Sequence, residues 1–261
     1  MRKFFYICAL SILFLSFPFF YKMMTQGFRV SKLCQLSKIS HAAGKSAMPE
    51  ELKSQLQQPF YYVGRGMQTF VFESQDGKIV IKFFKLRRRN KMDHLLKMFE
   101  ACNLAFNSAR EETGLLYTHL YKSDEKLPKI FLKNRLRLPV SLHLESYAFV
   151  IQQKAKPFQE LFPSVLQNES SGELIDAYLS LVYNRSQKGI CNTDVNVDRN
   201  FGWLEGRAIE LDFGSYLYDP KKKESEFCQF AARMRAIIQK MAPEKLAEYD
   251  QKVERYHEKL L

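Results

Sequence analysis

The sequence predicts an α+β protein with two lobes, in which a small antiparallel sheet with one long helix precedes a reduced, mostly helical region. Short β-like runs occur early, at residues 60–63, 70–74 and 79–84, whereas helical periodicity dominates after residue 170. Hydrophobic residues make up 46% of the 261 residues, so the chain can bury a sizeable core. The formal net charge of +12 favours anionic partners.

The N-terminal segment, residues 1–21, predicts a single-pass membrane anchor. Arg2 and Lys3 precede Phe4–Tyr21, which are eighteen uncharged and mostly bulky residues, enough for a short span. A cleaved signal sequence is the alternative, but no small-x-small cleavage site follows. The lysines and arginines after the span lean towards a cytoplasmic C-terminal domain.

Residues 22–58 are basic and rich in serine, and they predict a linker that ends in a short helix starting at Pro49. The first lobe is then expected over residues 59–153. The Asp76-Gly77 pair predicts a hairpin between its second and third strands. Helical spacing predicts one long helix or two shorter ones within 92–120, and strands are expected at 129–136 and 147–152.

The second lobe is expected over residues 154–261. Apolar residues on one face predict a helix around 174–182, which ends before Lys188-Gly189. Two short apolar runs, 200–204 and 208–213, follow, and two amphipathic helices complete the chain. The five cysteines show no CxxC pair and the five histidines no metal-ligand spacing, which argues against a disulfide framework and a zinc site.

Several polar residues interrupt this pattern at positions that suit phosphate chemistry. Gly64 and Gly66 lie in a tight turn between two strands, where main-chain N–H groups can approach a phosphate, although an ordinary hairpin turn uses the same residues. Lys82 lies in the middle of an apolar strand, which is unusual unless the lysine is paired or faces solvent at a sheet edge. Glu112 is a candidate ion-pair partner, with Glu100 and Glu111 as rivals.

The segment from Asn192 to Gly202 is dense in short polar side chains, and Asp212-Phe213-Gly214 ends the next apolar run. An aspartate such as Asp194 can orient an attacking hydroxyl, and oxygen ligands such as those of Asn200 and Asp212 suit Mg²⁺. The composition of the first of these segments, Asn192 to Gly202, is also typical of a solvated turn rich in Asn and Asp.

Taken in order, these features resemble the protein-kinase-like superfamily over residues 60–215, and the motifs around Asp194 and Asn200 are closest to those of the HipA-like and lipopolysaccharide-core kinases. The resemblance implies a two-lobed kinase-like fold with ATP and Mg²⁺ as cofactors. It implies a hinge at residues 152–154 that contacts adenine. The residues that it assigns to nucleotide binding are Gly64, Gly66, Val71, Lys82, Glu112 and Gln153.

The same resemblance makes Asp194 the catalytic base, supported by Lys82, and makes Asn200 and Asp212 the metal ligands. The chain departs from the family because six positions, where five are usual, separate Asp194 from Asn200, so Asp198 is an alternative carboxylate. A third loop glycine is missing, and only 47 residues follow Gly214. A small-molecule, sugar or lipid hydroxyl is therefore the expected acceptor, and an inactive pseudokinase that serves as a nucleotide-binding or scaffold module is the alternative.

Two basic runs, 85–91 and 221–223, suggest contact with an anionic membrane surface or with a phosphorylated or envelope substrate. They contain no interleaved aromatic residues, which disfavours nucleic acid as a partner.

Overall fold

The computed structural model describes residues 20–39, 47–86, 92–168 and 171–260. The predicted membrane anchor lies almost entirely outside these residues. Within the described ranges, no helix is both long enough and apolar enough to cross a bilayer. The chain divides into two compact units: unit 1 holds residues 1–88 and 119–151, and unit 2 holds residues 89–118 and 152–261.

The secondary structure confirms an α+β protein. The α-helices are α1 (Glu50–Gln55), α2 (Met92–Ser108), α3 (Arg110–Thr113), α4 (Phe158–Val165), α5 (Ser171–Gln187), α6 (Val197–Asn200), α7 (Lys223–Met241) and α8 (Leu246–Glu258). The strands are β1 (Pro59–Arg65), β2 (Thr69–Ser74), β3 (Ile79–Phe84), β4 (Leu115–His119), β5 (Lys129–Lys133), β6 (Pro139–His143), β7 (Phe149–Gln153), β8 (Lys156–Pro157), β9 (Ile190–Asn192), β10 (Phe201–Leu204), β11 (Arg207–Glu210) and β12 (Tyr216–Tyr218).

The sheet of unit 1 is mixed, so the expectation of an antiparallel sheet was wrong for the β1–β5 pairing. Its strands run in the order β7-β3-β2-β1-β5-β6. The β1–β2, β2–β3 and β5–β6 pairs are antiparallel, whereas β1 and β5 run parallel, with Phe60 opposite Leu132. A parallel neighbour needs a long crossover, and short-range turn signals do not reveal that pairing.

The β2–β3 hairpin forms where Asp76-Gly77 predicts it. Gly77 has a φ of +71°, a conformation that favours glycine. The Asp76 carboxylate accepts hydrogen bonds from the Ser74 hydroxyl at 2.6 Å and from the Lys78 main-chain N–H at 3.1 Å. These bonds fix the register in which Val71 lies opposite Lys82.

Residues from the described part of 22–39 pack against the sheet of unit 1. Phe28 is buried and its ring lies 5.2 Å from that of Phe70 and 5.0 Å from that of Phe72. Cys34 donates its N–H to the Phe84 carbonyl at 2.8 Å and accepts one from Ala148 at 2.9 Å. Apolar residues scattered through a basic stretch without helix or strand periodicity gave no sequence signal for this packing.

The long helical prediction over 92–120 holds only as far as Thr113. Gly114 adopts a left-handed conformation with a φ of +61° and ends α3, and its N–H donates to the Arg110 carbonyl at 2.8 Å. Burial alternates along Leu115–His119, as it does in a strand with one covered face. The two leucines expected on a helix therefore begin strand β4.

An aromatic cluster builds the core of unit 2 and carries the short strands that follow. Phe158, Tyr178, Phe201 and Phe230 are all fully buried, and their rings lie 5.0–6.2 Å apart. This cluster fixes the start of β10, so the β10–β11 hairpin and the β9–β12 pair are held against α5 and α7. The polar residues between these strands are the candidate site.

Candidate active site

Asn192, at the end of β9, ties together the two polar loops of unit 2. Its side-chain oxygen accepts the N–H of Asp194 at 2.9 Å, and its amide nitrogen donates to the main-chain carbonyl of Asp212 at 3.1 Å. The amide nitrogen of Asn200 donates to the main-chain carbonyl of Asp194 at 3.0 Å. The structure therefore brings the three residues predicted for catalysis and metal binding into one hydrogen-bonded cluster.

The extra residue between Asp194 and Asn200 is accommodated by one helical turn, α6. The Asn196 side chain caps this turn by accepting the Arg199 N–H at 3.3 Å, and the Asn200 N–H donates to the Asn196 carbonyl at 2.9 Å. The turn brings the Asn200 amide back to Asp194. Asp194 and Asp198 are both exposed, but only Asp194 is joined to Asn192 and Asn200, through its main chain, which favours Asp194 over Asp198 as the functional carboxylate.

The loop after β11 holds Asp212 at the surface by burying its neighbour. Phe213 is buried, whereas Asp212 is exposed and its carboxylate accepts the Gly214 N–H at 3.2 Å. A Cβ at Gly214 would lie 3.2 Å from the Met98 side chain, which is tighter than most real contacts. The small residue therefore lets the loop pass close to α2.

A buried ionic network lies directly behind this cluster. The guanidinium of Arg185, fully buried in α5, donates to the Glu210 carboxylate and, at 2.6 Å, to that of Glu226. Asn192 donates to Glu210 through its side chain at 2.6 Å and to Glu226 through its main-chain N–H at 2.8 Å. The Tyr216 hydroxyl donates to Glu210 at 2.5 Å. The residue that joins the two loops is thus itself fixed by a paired internal charge.

Burial dominates the electrostatics of this network. It raises the pKa of Glu210 and of Glu226, and the Arg185 guanidinium opposes the rise in each case. Burial and then the adjacent Glu210 carboxylate raise the pKa of Tyr216 well above its ordinary value, which keeps its hydroxyl a donor. Burial, followed by the charges of Glu226 and Asp219, raises the pKa of the Cys191 thiol to about 11.

The oxygen ligands of the cluster fit Mg²⁺ better than a softer metal. The side-chain nitrogen of Asn200 donates to Asp194, and the side-chain oxygen of Asn200 accepts no hydrogen bond from any described residue, so it can act as a metal ligand. The exposed Asp212 carboxylate supplies the second oxygen ligand. The described residues contain no group of three histidine, cysteine, aspartate or glutamate side chains placed to hold an ion, so bound phosphates or water would complete the coordination.

Unit 1 brings together a second group of predicted residues on its sheet. Val71 and Lys82 are directly opposite each other on β2 and β3, and both are half-buried on the same face. Since β3 lies between β2 and β7, Lys82 is not on an edge strand. A Cβ at Gly64 would meet no atom within 4 Å, and at Gly66 it would meet only the Thr69 hydroxyl at 3.5 Å, so open space adjoins this turn.

Glu112 and Gln153 make contacts that the sequence did not indicate. The Glu112 carboxylate is buried and accepts a hydrogen bond from the Lys188 ammonium at 2.6 Å. The Gln153 main-chain N–H donates to the Gly114 carbonyl at 2.8 Å, and its side chain accepts from Arg207 at 2.7 Å. That N–H of the expected hinge is therefore engaged within the protein.

Sequence reasoning missed Asn192, Arg185, Glu210 and Glu226 as functional supports. The sequence does contain a sign that Arg185 is buried, because this charged residue lies three positions after Val182 and four after Leu181, on the apolar face of α5. Glu210 ends an apolar strand, which is a second such signal. Two opposite charges at buried positions suggest an internal pair, although the sequence does not show which charges meet.

Comparisons with known proteins add little to this geometry. No family model matches the chain, and no curated protein sequence matches it. Among solved structures, it is similar to the ROP18 kinase domain in complex with AMP-PNP and sucrose, with a TM-score of 0.40 and 18% identity. The match covers 60% of this chain and 51% of that one, so it spans about half of the matched structure.

Proposed function

We propose that the protein is an atypical ATP- and Mg²⁺-dependent kinase that transfers a phosphoryl group to a hydroxyl of a small molecule, a sugar or a lipid. One observation carries the proposal: the side chains of Asn192 and Asn200 hydrogen-bond the main chain of Asp194 and Asp212, and so tie together the two loops that carry these oxygen ligands. A carboxylate that orients a hydroxyl next to oxygen ligands for Mg²⁺ is the arrangement that phosphoryl transfer needs.

In this proposal the residues of the chain position the reactants. The Asp194 carboxylate accepts the proton of the acceptor hydroxyl and holds that oxygen for in-line attack. Lys82 and the turn of Gly64 and Gly66 bind the ATP phosphates, and Val71 packs against adenine. Asn200 and Asp212 would hold Mg²⁺, and the ion would supply positive charge to offset the negative charge of the phosphates.

A groove of about 470 Å³ in unit 2 offers a place for a small acceptor. Thr193 and Gly214, which adjoin the two loops, line it together with Met98 and Tyr218. Its size suits a small molecule or one sugar unit more than a folded protein substrate. Anchoring through the apolar run that ends at Tyr21, with the C-terminal domain in the cytoplasm where ATP is present, would direct the enzyme to membrane or envelope acceptors.

A second candidate is an inactive pseudokinase that binds nucleotide or serves as a scaffold at the membrane. The Glu112–Lys188 ion pair favours it, because the carboxylate expected to pair with Lys82 already contacts another lysine. The missing third glycine points the same way.

Nucleotide binding can be measured by thermal denaturation with Mg²⁺ and ATP added together and singly. Wild type should melt at a higher temperature with both, by a shift that grows with ligand concentration, and Asp212→Ala and Lys82→Ala should abolish it. Asp198→Ala is the matched control and should keep the shift. No shift in wild type would refute the active kinase and the nucleotide-binding form of the pseudokinase, whereas a shift without ATP turnover would support the pseudokinase.

A further inference from the structure

The surface of unit 1 that follows the apolar N-terminal run carries a cluster of cations around one turn. Gln26 and Gly27 form this turn with positive φ angles of 48° and 75°. The Arg65 guanidinium donates to the Gln26 carbonyl at 2.7 Å, and the Lys32 ammonium donates to the Gly27 carbonyl at 2.9 Å. Both nitrogens lie within 3.4 Å of the position that a Cβ would take at Gly27, so two like charges share one small surface.

More cations surround this pair without an acidic partner. The Lys32 N–H donates to the Arg29 carbonyl at 3.0 Å and the Gly27 N–H donates to the Lys22 carbonyl at 2.9 Å, so Lys22 and Arg29 adjoin the turn. Burial, followed by repulsion from Arg29, Lys22 and Arg65, lowers the pKa of Lys32. None of these four cations forms an ion pair with an acidic side chain in the part of the chain that the structure describes. Such a cluster is repulsive by itself and is relieved by a polyanionic surface.

Exposed apolar side chains lie beside these charges. Residues 20–24 are helical and lead into the turn, since the Gly27 N–H donates to the Lys22 carbonyl at 2.9 Å. Phe20, Met23 and Met24 on this helical turn are 54%, 55% and 50% exposed. Apolar side chains interspersed with lysine and arginine suit the boundary between lipid headgroups and acyl chains.

We propose that this cationic face, made of Lys22, Arg29, Lys32 and Arg65, docks unit 1 on an anionic lipid bilayer. An anionic bilayer fits this face for two reasons. Its negative charge complements the four cations, and the eighteen uncharged residues of Phe4–Tyr21, predicted to enter a membrane, end directly at Lys22. Docking does not depend on the proposed phosphoryl transfer.

The test is lysine acetylation of the full chain reconstituted in vesicles, read by mass spectrometry. Vesicles of phosphatidylcholine alone are compared with vesicles that also contain phosphatidylglycerol, at low and high salt. The comparison between the two lipids matters, because an apolar segment would enter either one. On anionic vesicles at low salt, Lys22 and Lys32 should react several-fold more slowly than on neutral vesicles, and high salt should remove the difference.

The double variant Arg29→Gln/Arg65→Gln should weaken docking about 30-fold, since each cation near an anionic surface contributes about fivefold. Arg233→Gln/Lys240→Gln removes the same charge from exposed positions of unit 2 and should leave the protection unchanged. Circular dichroism checks that both variants fold, and the salt dependence of wild type tests the proposal without any variant.

Equal reactivity of Lys22 and Lys32 on both vesicles would overturn the proposal, as would protection that survives in the Arg29→Gln/Arg65→Gln variant. A single-stranded oligonucleotide is tested on the same footprint. If it protects these lysines while anionic vesicles do not, the face belongs to a nucleic-acid partner and the lipid assignment is wrong.

Discussion

Replacing Arg185 with methionine removes the only cation in the described contacts of two buried carboxylates. Methionine fills a similar volume without charge, so the change tests pairing more than packing. Glu210 would keep the Tyr216 and Asn192 donors, and Glu226 only the Asn192 main-chain N–H. Both carboxylates would otherwise face the apolar core of unit 2.

The expected cost is about 3–5 kcal/mol of unfolding free energy at neutral pH, because removal of one partner leaves a buried charge uncompensated. A loss of that size is a large fraction of the roughly 5–15 kcal/mol that stabilises a typical domain. It corresponds to a fall in melting temperature of roughly 6–20 °C for a chain of this length.

The sign of the pH dependence follows from the raised pKa values of Glu210 and Glu226. A carboxyl whose pKa is raised by folding stabilises the protein at low pH, and this contribution is lost as the pH rises through the folded-state pKa. Without Arg185, which opposes the rise, both pKa values should move higher still. The defect of Arg185→Met should therefore be smaller at pH 5 than at pH 8.

Urea denaturation followed by circular dichroism at the two pH values measures the effect. Arg235→Met is the matched control: that arginine is exposed and bonds both Asp250 oxygens at 2.9 Å, so its loss should cost less than about 1 kcal/mol. Adding Glu210→Gln to Arg185→Met should recover part of the loss. A defect no larger than that of the control, or one equal at both pH values, would refute the reasoning.

Three further outcomes are expected. Asn192→Ala should lower the free energy of unfolding by about 2–3 kcal/mol in urea denaturation and abolish the thermal shift with Mg²⁺ and ATP. Asn196→Ala removes only a helix cap and should cost about 1 kcal/mol, so equal losses of stability in the two variants would contradict the role of Asn192 in joining the two loops. Gly189→Ala should cost more unfolding free energy than Gly206→Ala, for which about 1–2 kcal/mol of left-handed strain is expected, because of these two sites only Gly189 would place a Cβ 3.0 Å from a proline carbon. Chemical denaturation of both variants compares the two costs. Cys191, with a pKa of about 11, should react with iodoacetamide at pH 8 over a hundredfold more slowly than a free thiol. Mass spectrometry measures the rate of alkylation, and a rate equal to that of a free thiol would contradict the burial of Cys191.

The sequence predicted the local elements of this protein well. The hairpin at Asp76-Gly77, the strand that carries Lys82 and the two C-terminal helices all follow from periodicity and turn chemistry, which are properties of neighbouring residues. The end of the long helical pattern was misjudged, because Leu115 and Leu116 suit either a helix or a strand and only the left-handed Gly114 decides between them.

The features that the sequence did not predict depend on distant pairings. The parallel contact of β1 with β5 and the packing of Phe28 on the sheet join residues with no local signal in common. The same holds for the site. Asp194, Asn200 and Asp212 were recognisable in the sequence as oxygen ligands. The contacts of the Asn192 side chain with Asp194 and Asp212 were not predictable, because they depend on the pairing of β9 with β12.

The discontinuity of unit 1 has a consequence for how the chain can fold during synthesis. Strands β1, β2 and β3 leave the ribosome together, but the parallel neighbour of β1 follows only after residues 89–118, which belong to the other unit. Until Lys129–Lys133 emerge, the main-chain groups along that side of β1 have no strand to pair with and are open to other chains. A fragment that stops at residue 88 would contain the three strands and the glycine turn and would still expose this edge.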